Sequence, residues 1–384
     1  MTPPAMMDPA PVRTMRGGSQ DHIGKDNEEG MIPSCQIRVN VSASDRDDQL
    51  VHVVQALCPF LDQSDGEYQS KPLLGGLSNE LFVVSKGSQA VLVRIHPEDE
   101  CIVNHDEEFR ILAWLSQQGD APGLYGKFSN GRIEEFLHGY FPLSNHDMGN
   151  YTLQLASHMA NLHNKVVPSG VLSRTSESVW TRVDSWFEKA FELEGKRDPE
   201  LCNMLEQWKW VRDELSDPSL QDPIVSFCRQ TVFCHMDLQS LNILRNETVD
   251  ALRIIDYEYS GMHPRAVDIA NTWLEYCDMN NLKADYEGEY PTVEQQNAFL
   301  RVYLSLTQPE WFGDADEEMT LRRLRIEIGK HTLVSHVGWA VWGVVLSHRD
   351  SIGFNYREYA RLRMKGFHFF RAKFFYSTSS SLIK

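Results

Sequence analysis

The segment FCHMDLQSLNIL (233–244) sets His235, Asp237, Gln239 and Asn242 inside an apolar run. A second apolar run, ALRII, ends on Asp256. Phosphoryl transfer asks little covalent chemistry of a protein. It needs a carboxylate to orient the attacking hydroxyl, and hard oxygen ligands for a divalent cation on the nucleotide phosphates. Asp237 fits the first role, and Asn242 and Asp256 fit the second. Any one of the three alone reads as a turn or capping residue. Three in this order, each where the chain leaves a strand-like run, point to catalysis, with His235 buttressing the loop.

These residues need two strands to carry them. TVFCHMDL and ALRIIDYEY supply short strand-like runs inside an otherwise helical C-terminal part. NYTLQLASHMANLHNKV, SVWTRVDSWFEKAFEL, HPRAVDIANTWLEYC, VEQQNAFLRVYLSL and GKHTLVSHVGWAVWGVVLSH all carry apolar residues at helical spacing. Upstream, strand-like runs at 81–85 and 90–95 flank the turn KGSQ. NHDEEFRILAWLSQQG reads as a helix stopping at Gly119, and LYGKFSNGRIEEFL reads as a hairpin turning at Ser129-Asn130-Gly131. The expected fold is α+β with two lobes, a small β-rich lobe and a larger helical one. The divisions expected are a disordered Pro/Gly/Ser-rich tail over 1–40, a nucleotide-binding lobe over 41–140, and a catalytic and substrate-binding lobe over 141–384.

Composition narrows the partners. A formal charge of −17 over 384 residues excludes a nucleic-acid binder, which needs a basic footprint. The seven scattered cysteines contain no Cys-x-x-Cys pair, and the fourteen histidines contain no His-x-x-x-His pair. The chain therefore reads as a reduced intracellular protein without a zinc site. VGWAVWGVVL is too short to span a bilayer, and residues 1–22 hold no signal-like apolar stretch. A cytoplasmic protein with no stable membrane insertion is expected.

CHMDLQSLNIL followed by IIDYEYSGMHPRAVDIANTWLEY resembles the signature region of the choline/ethanolamine kinase family, whose fold is shared with aminoglycoside phosphotransferases and is protein-kinase-like. The matching residues are His235, Asp237 and Asn242, then Asp256, Glu258 and Tyr259, then Asp268, Asn271 and Glu275. The likeness runs from about residue 70 to 370. Met236 departs from the pattern, where Asn is usual. A protein kinase is disfavoured, since no Arg precedes Asp237 and no Asp-Phe-Gly follows.

The resemblance implies ATP and Mg2+ as cofactors, with Asn242 and Asp256 holding the metal. It makes GGLSNELF the phosphate-covering turn, with Ser78 and Asn79 as donors. It makes Arg94 the basic strand residue on the phosphates and Glu108 its ion-pair partner, with Glu107 as the neighbouring alternative. It assigns the adenine to the backbones of Glu135 and Leu137. Gln239 is grouped with the cofactor side and is also similar to choline kinases.

For the acceptor, Trp339 and Trp342 lie three apart on one helix face, ahead of Phe354, Tyr356 and Tyr359. Such a pair is usually core. In this family the helix closes the alcohol site, so the aromatics become a cage for a quaternary ammonium. Tyr259 and Glu275 complete it, the carboxylate balancing the substrate's charge. Asn280 stands near where a cage tyrosine is expected, which gives ethanolamine some weight. The implied activity is phosphorylation of choline and/or ethanolamine, the first step of phospholipid synthesis by the CDP-choline/CDP-ethanolamine route. A phosphotransferase for an aminoglycoside or sugar, or a kinase-like scaffold without turnover, are the rival readings. Dimers are common in the family, which leaves a homodimer open.

Overall fold

The structure is a computed structural model that describes residues 32–73, 79–96, 102–173, 178–217, 221–279, 281–312, 316–349 and 353–376. Ser78, Asn280 and residues 1–31 lie outside the described residues.

The order of elements begins with α1 (Arg46–Leu57), β1 (Tyr68–Leu73), β2 (Glu80–Lys86), β3 (Gln89–Ile95), α2 (His105–Gln118), β4 (Leu124–Phe128), β5 (Gly131–Glu135) and β6 (Phe141–Pro142). Helices α3 (Thr152–His163), α4 (Val179–Glu194), α5 (Pro199–Leu215) and α6 (Pro223–Arg229) follow. Four short strands come next: β7 (Thr231–Cys234), β8 (Ile243–Asn246), β9 (Ala251–Ile254) and β10 (Gly261–Pro264). The chain ends with α7 (Arg265–Leu274), α8 (Val293–Thr307), α9 (Glu317–Leu346) and α10 (Tyr356–Arg371).

The small lobe is an antiparallel sheet in the order β1-β2-β3-β5-β4. Alternation sends Phe82, Val84, Val91, Val93 and Ile133 into a core that α1 covers with Leu50, Val53, Val54 and Leu57. Order begins earlier than the composition of 1–40 suggests. Cys35 N–H donates to the Lys127 carbonyl and Ser129 N–H to that of Ile37, which lays residues 33–37 along β4. The reason is a period of two hidden in CQIRVNV. Cys35, Ile37 and Val41 pack on the small core and Val39 is inside it, whatever the average polarity of the stretch.

Helix α2 stops at Gly119 in the left-handed region, as its sequence predicts, and starts on an Asn104 cap that accepts from Glu107 N–H. Its apolar face (Ile111, Leu112, Trp114, Leu115) joins the large helical core rather than that of the small sheet. A cut at 140 therefore divides the large core, leaving Ile111, Leu112, Trp114 and Leu115 on its N-terminal side. The α2 helix belongs by packing to the lobe that follows it.

In the large lobe the strands do not pair as they occur in sequence. β7 pairs with β10, and β8 pairs with both β6 and β9. The segment carrying His235, Asp237 and Asn242 thus leaves one small sheet at Cys234 and enters the other at Ile243. The 30-residue α9 is buried along most of its length, with α7, α4, α5 and α10 packed around it.

Candidate active site

The loop between β7 and β8 is held from behind by α7. Backbone N–H groups of His235 and Met236 donate to the two oxygens of Asp268 at 2.9 and 2.7 Å, and Asn271 Nδ2 donates to the Met236 carbonyl at 3.1 Å. Asp268 is fully buried and is itself held by His163 Nε2 at 3.0 Å, whose Nδ1 meets the Tyr303 hydroxyl at 2.5 Å. Burial would raise its pKa, but the hydrogen bond and charge of His163 and the loop amides hold it below the usual carboxylate range.

This clamp bends the chain sharply. Met236 has φ +70°, a region that Asn tolerates better than Met, so the departure from the family pattern falls on a strained position. The Met side chain is buried instead, facing a small cavity with Trp186, Val267 and Trp339.

His235 accepts from Asp237 N–H through Nδ1 (3.2 Å), so its Nε2–H donates to the Ile255 carbonyl (3.1 Å). Burial pushes its pKa down, which keeps the ring neutral and structural. Asp237 Oδ2 receives Gln239 Nε2 at 3.1 Å and Asn242 Nδ2 at 2.9 Å. Gln239, grouped with the cofactor side by its sequence, has its Nε2 on the Asp237 carboxylate. Both amides fix the same oxygen of Asp237, Oδ2. Burial first, then Glu275 and Asp256, raise the Asp237 pKa well above the ordinary value.

Ile255 N–H donates to the Asn242 carbonyl (3.0 Å), which ties the end of β9 to the loop. The next residue, Asp256, also takes a positive φ of 67° and accepts from Arg94 Nη1 at 3.2 Å. The structure corrects the expected Arg94–Glu108 pair. Arg94 Nε binds Glu134 Oε1 (3.1 Å), Arg132 Nε binds the same oxygen (2.7 Å), and Arg132 Nη2 reaches Glu108 (2.5 Å). Register is the cause. Arg94 lies directly opposite Arg132, and Glu134 is two residues along on the same face of β5, so one carboxylate spans both guanidiniums. Glu107 turns away to accept from Ser173 N–H.

Glu108, Asp256 and Glu258 offer carboxylate oxygens within 4.8 Å of one another. Burial and the charges of Asp256 and Glu108 push the Glu258 pKa well up. Asn79 Oδ1 lies 3.0 Å from His96 Nδ1 at the start of β2. At the expected hinge, Glu135 N–H is committed to the Gly123 carbonyl, and the Leu137 carbonyl accepts from Tyr140 N–H.

On the other side of Asp237 the predicted aromatics come together. Tyr259 and Trp339 have ring centroids 5.0 Å apart, Trp339 and Trp342 5.2 Å, Trp342 and Tyr359 5.9 Å, and Phe354 and Tyr359 5.6 Å. Indole nitrogens anchor the wall: Trp339 Nε1 donates to Asn271 Oδ1 and Trp342 Nε1 to the Tyr259 hydroxyl, both at 2.8 Å. Two members of this side were missed in the sequence, Trp186 and Arg363. Tyr356 packs on Trp342 at 5.5 Å, and Trp186 of α4 meets Trp339 at 6.1 Å. Arg363 donates from Nη2 to Glu275 Oε1 (2.8 Å) and from Nε to the Tyr359 hydroxyl (2.9 Å). The role expected of Glu275, balancing a substrate cation, is therefore shared. Its charge already has a buried guanidinium partner.

Comparison with known proteins matches this arrangement. Residues 70–368 fit the family described as choline/ethanolamine kinase. Probable choline kinase 3 of Arabidopsis thaliana is 30% identical over 359 residues, covering 88% of this chain and 94% of the relative. Ethanolamine kinase 2 of Rattus norvegicus is 29% identical over 343 residues, covering 86% and 84%. The crystal structure of choline kinase from Cryptosporidium parvum Iowa II superposes with a TM-score of 0.69 at 25% identity, covering 85% of this chain and 95% of that one. On the family match over most of its length and these relatives, the chain belongs to the choline/ethanolamine kinase family.

Proposed function

We propose that the chain transfers the terminal phosphoryl group of ATP to the hydroxyl of choline or ethanolamine, giving phosphocholine or phosphoethanolamine for phospholipid synthesis. The observation that carries this reading is the position of Asp237, whose proton affinity is raised by burial first and then by the charges of Glu275 and Asp256. It stands between a carboxylate and amide set suited to nucleotide phosphates and an aromatic wall suited to an ammonium group.

Asp237 Oδ1 orients the hydroxyl and takes up its proton as the phosphoryl group leaves ATP. The positive charges that accompany both substrates lower the pKa that burial has raised, so the base becomes available when the site is filled. Arg94, held by Glu134 and Asp256, meets the phosphates, and the Leu137 backbone faces the adenine. Asn79 at the start of β2 belongs to the phosphate side, with Ser78 as its neighbour in sequence.

The donor set fits Mg2+. It consists of oxygens only, the Glu108, Asp256 and Glu258 carboxylates converge within 4.8 Å, and the raised Glu258 pKa marks negative charge that a cation would offset. Asn242 uses its Nδ2 on Asp237, which leaves its amide oxygen as the ligand it would offer the same ion. Bound there, Mg2+ supplies neutralisation of the phosphate charge.

Tyr259, Trp339, Trp342, Phe354 and Tyr359 receive the ammonium end. Because Glu275 is paired with Arg363, the site relies on aromatic faces more than on a free carboxylate, which favours the quaternary ammonium of choline over a primary one. The test is kcat/KM with ATP and Mg2+ for choline and ethanolamine side by side. A higher value for choline is expected, a higher value for ethanolamine reverses the preference, and turnover of neither sinks the assignment.

A further inference from the structure

We propose that Asn271 is a positioning residue that sets the distance between the ammonium wall and the Asp237 carboxylate, and so selects amino alcohols with two carbons between nitrogen and hydroxyl. The inference rests on the reading of Trp339 as part of that wall and of Asp237 as the base. Asn271 lies on α7, only 1% exposed, and both parts of its amide are committed. Oδ1 accepts from Trp339 Nε1 at 2.8 Å and from Ser335 Oγ at 2.6 Å, two donors a helical turn apart on α9. Nδ2 donates to the Met236 carbonyl at 3.1 Å. That carbonyl belongs to the peptide joining Met236 to Asp237, and the N–H of the same peptide donates to His235 Nδ1 at 3.2 Å. The peptide plane is therefore held on both sides, and with it the direction in which the Asp237 side chain leaves the backbone. Met236, at φ +70°, keeps a conformation that side chains seldom adopt without such support.

The partners fix which way the amide faces. An indole N–H can only donate and a carbonyl can only accept, so the oxygen faces α9 and the nitrogen faces the loop. Aspartate, of nearly the same shape, would turn an oxygen toward the Met236 carbonyl, and alanine would release both neighbours. These bonds are buried, where an unmatched polar group costs most. One planar amide thus joins the indole at the ammonium end of the acceptor site to the peptide that carries the base. Choline and ethanolamine both hold nitrogen and oxygen two carbons apart, so a fixed separation suits them. A longer alcohol brings its hydroxyl to the wrong place for Asp237.

The experiment measures kcat/KM of the full-length protein with ATP and Mg2+ for two pairs, choline with its three-carbon homologue and ethanolamine with 3-aminopropanol. Wild type should prefer the shorter member of a pair by ~10-fold or more, since a misplacement of about 1 Å at the reacting atoms can cost about 10²-fold. Asn271→Ala and Asn271→Asp, each confirmed as folded by circular dichroism, should cut that preference to a few-fold, mainly by lowering kcat for the shorter alcohol. Trp339→Phe keeps an aromatic face but loses the N–H to Asn271, so it should shrink the preference too; its weaker cation–π contact affects both members of a pair alike. Damage to packing alone lowers both members together and leaves their ratio unchanged. If neither Asn271 variant folds, Trp339→Phe decides. The proposal is overturned by a wild type that does not distinguish the lengths, or by the wild-type ratio in Trp339→Phe or a folded Asn271 variant. Those results with a short alcohol still turned over overturn this inference alone, whereas turnover of none of the alcohols overturns the assigned activity with it.

Discussion

The indole nitrogen of Trp342 lies 2.8 Å from the hydroxyl of Tyr259, linking α9 to the segment that follows the Asp256 carboxylate. The bond makes the aromatic wall a fixed continuation of the catalytic strand. Trp342 is held at its polar edge and keeps its face for packing against Trp339, Tyr356 and Tyr359.

Trp342→Ala should therefore raise KM for choline by up to ~30-fold, the equivalent of a desolvated cation–π contact of ~2 kcal/mol. KM for ethanolamine should rise less, since a primary ammonium depends more on acceptors. Trp342→Phe keeps a face but loses the N–H and should fall between. Steady-state kinetics with both alcohols decide this, and equal losses would reduce Trp342 to core packing.

Asp237→Ala should lower kcat by about 10²- to 10⁴-fold, the usual range for a positioned acid–base group. Equilibrium binding of a fluorescent ATP analogue should stay within a few-fold of wild type. Retained turnover would remove Asp237 as the base.

The pH profile offers a sharper test of the charges around Asp237. Its pKa is raised in part by Glu275, so activity should be lost as pH falls through that raised value. Glu275→Gln removes one raising charge and leaves the Arg363 guanidinium, which lowers it. The acid limb of kcat should then move to lower pH even as KM for the alcohol rises. A limb that stays in place or moves upward contradicts the arrangement.

Glu134 is buried between two arginines, so Glu134→Ala leaves both Arg94 and Arg132 short of a partner. Removing one member of such a buried set costs about 3–5 kcal/mol. Chemical denaturation should show that loss, and KM for ATP should rise with it.

Acid should also weaken the fold. Burial pushes the pKa values of His263 and His336 well below 6.5, so both are neutral when folded and charge only on unfolding. Stability from each is complete above about pH 6.5 and falls by about 1.4 kcal/mol per pH unit below it. His336→Leu should make the decline of stability between pH 6.5 and 5 shallower by one proton's worth, as read from denaturant midpoints.

Much of the site was legible in the sequence because it lies in two continuous stretches. Asp237 with Asn242, and Asp256 with Tyr259, sit within a few residues of one another, and the loop chemistry follows from their order. Helix α2 was readable for a local reason, its apolar periodicity ending at Gly119. What could not be read depends on register and long-range packing. The Arg94–Glu134 pair needs β3 and β5 aligned at Arg94 and Arg132. Arg363 reaches Glu275 from a helix 88 residues away, and nothing near either residue announces it. The segment 33–39 laid against β4 was hidden by averaging over a polar tail, although its own alternation was visible.

The clamp on the catalytic loop has a consequence in time as well as in space. Asp268 holds the backbone of His235 and Met236, but its own support comes from His163, 105 residues earlier, and His163 in turn meets Tyr303, 140 residues further on. Contacts spanning such separations close late, because loop entropy must be overcome first. Catalytic competence is therefore expected among the last properties to return on refolding. Recovery of phosphoryl transfer after dilution from denaturant should lag behind far-ultraviolet circular dichroism, and His163→Ala should lengthen that lag.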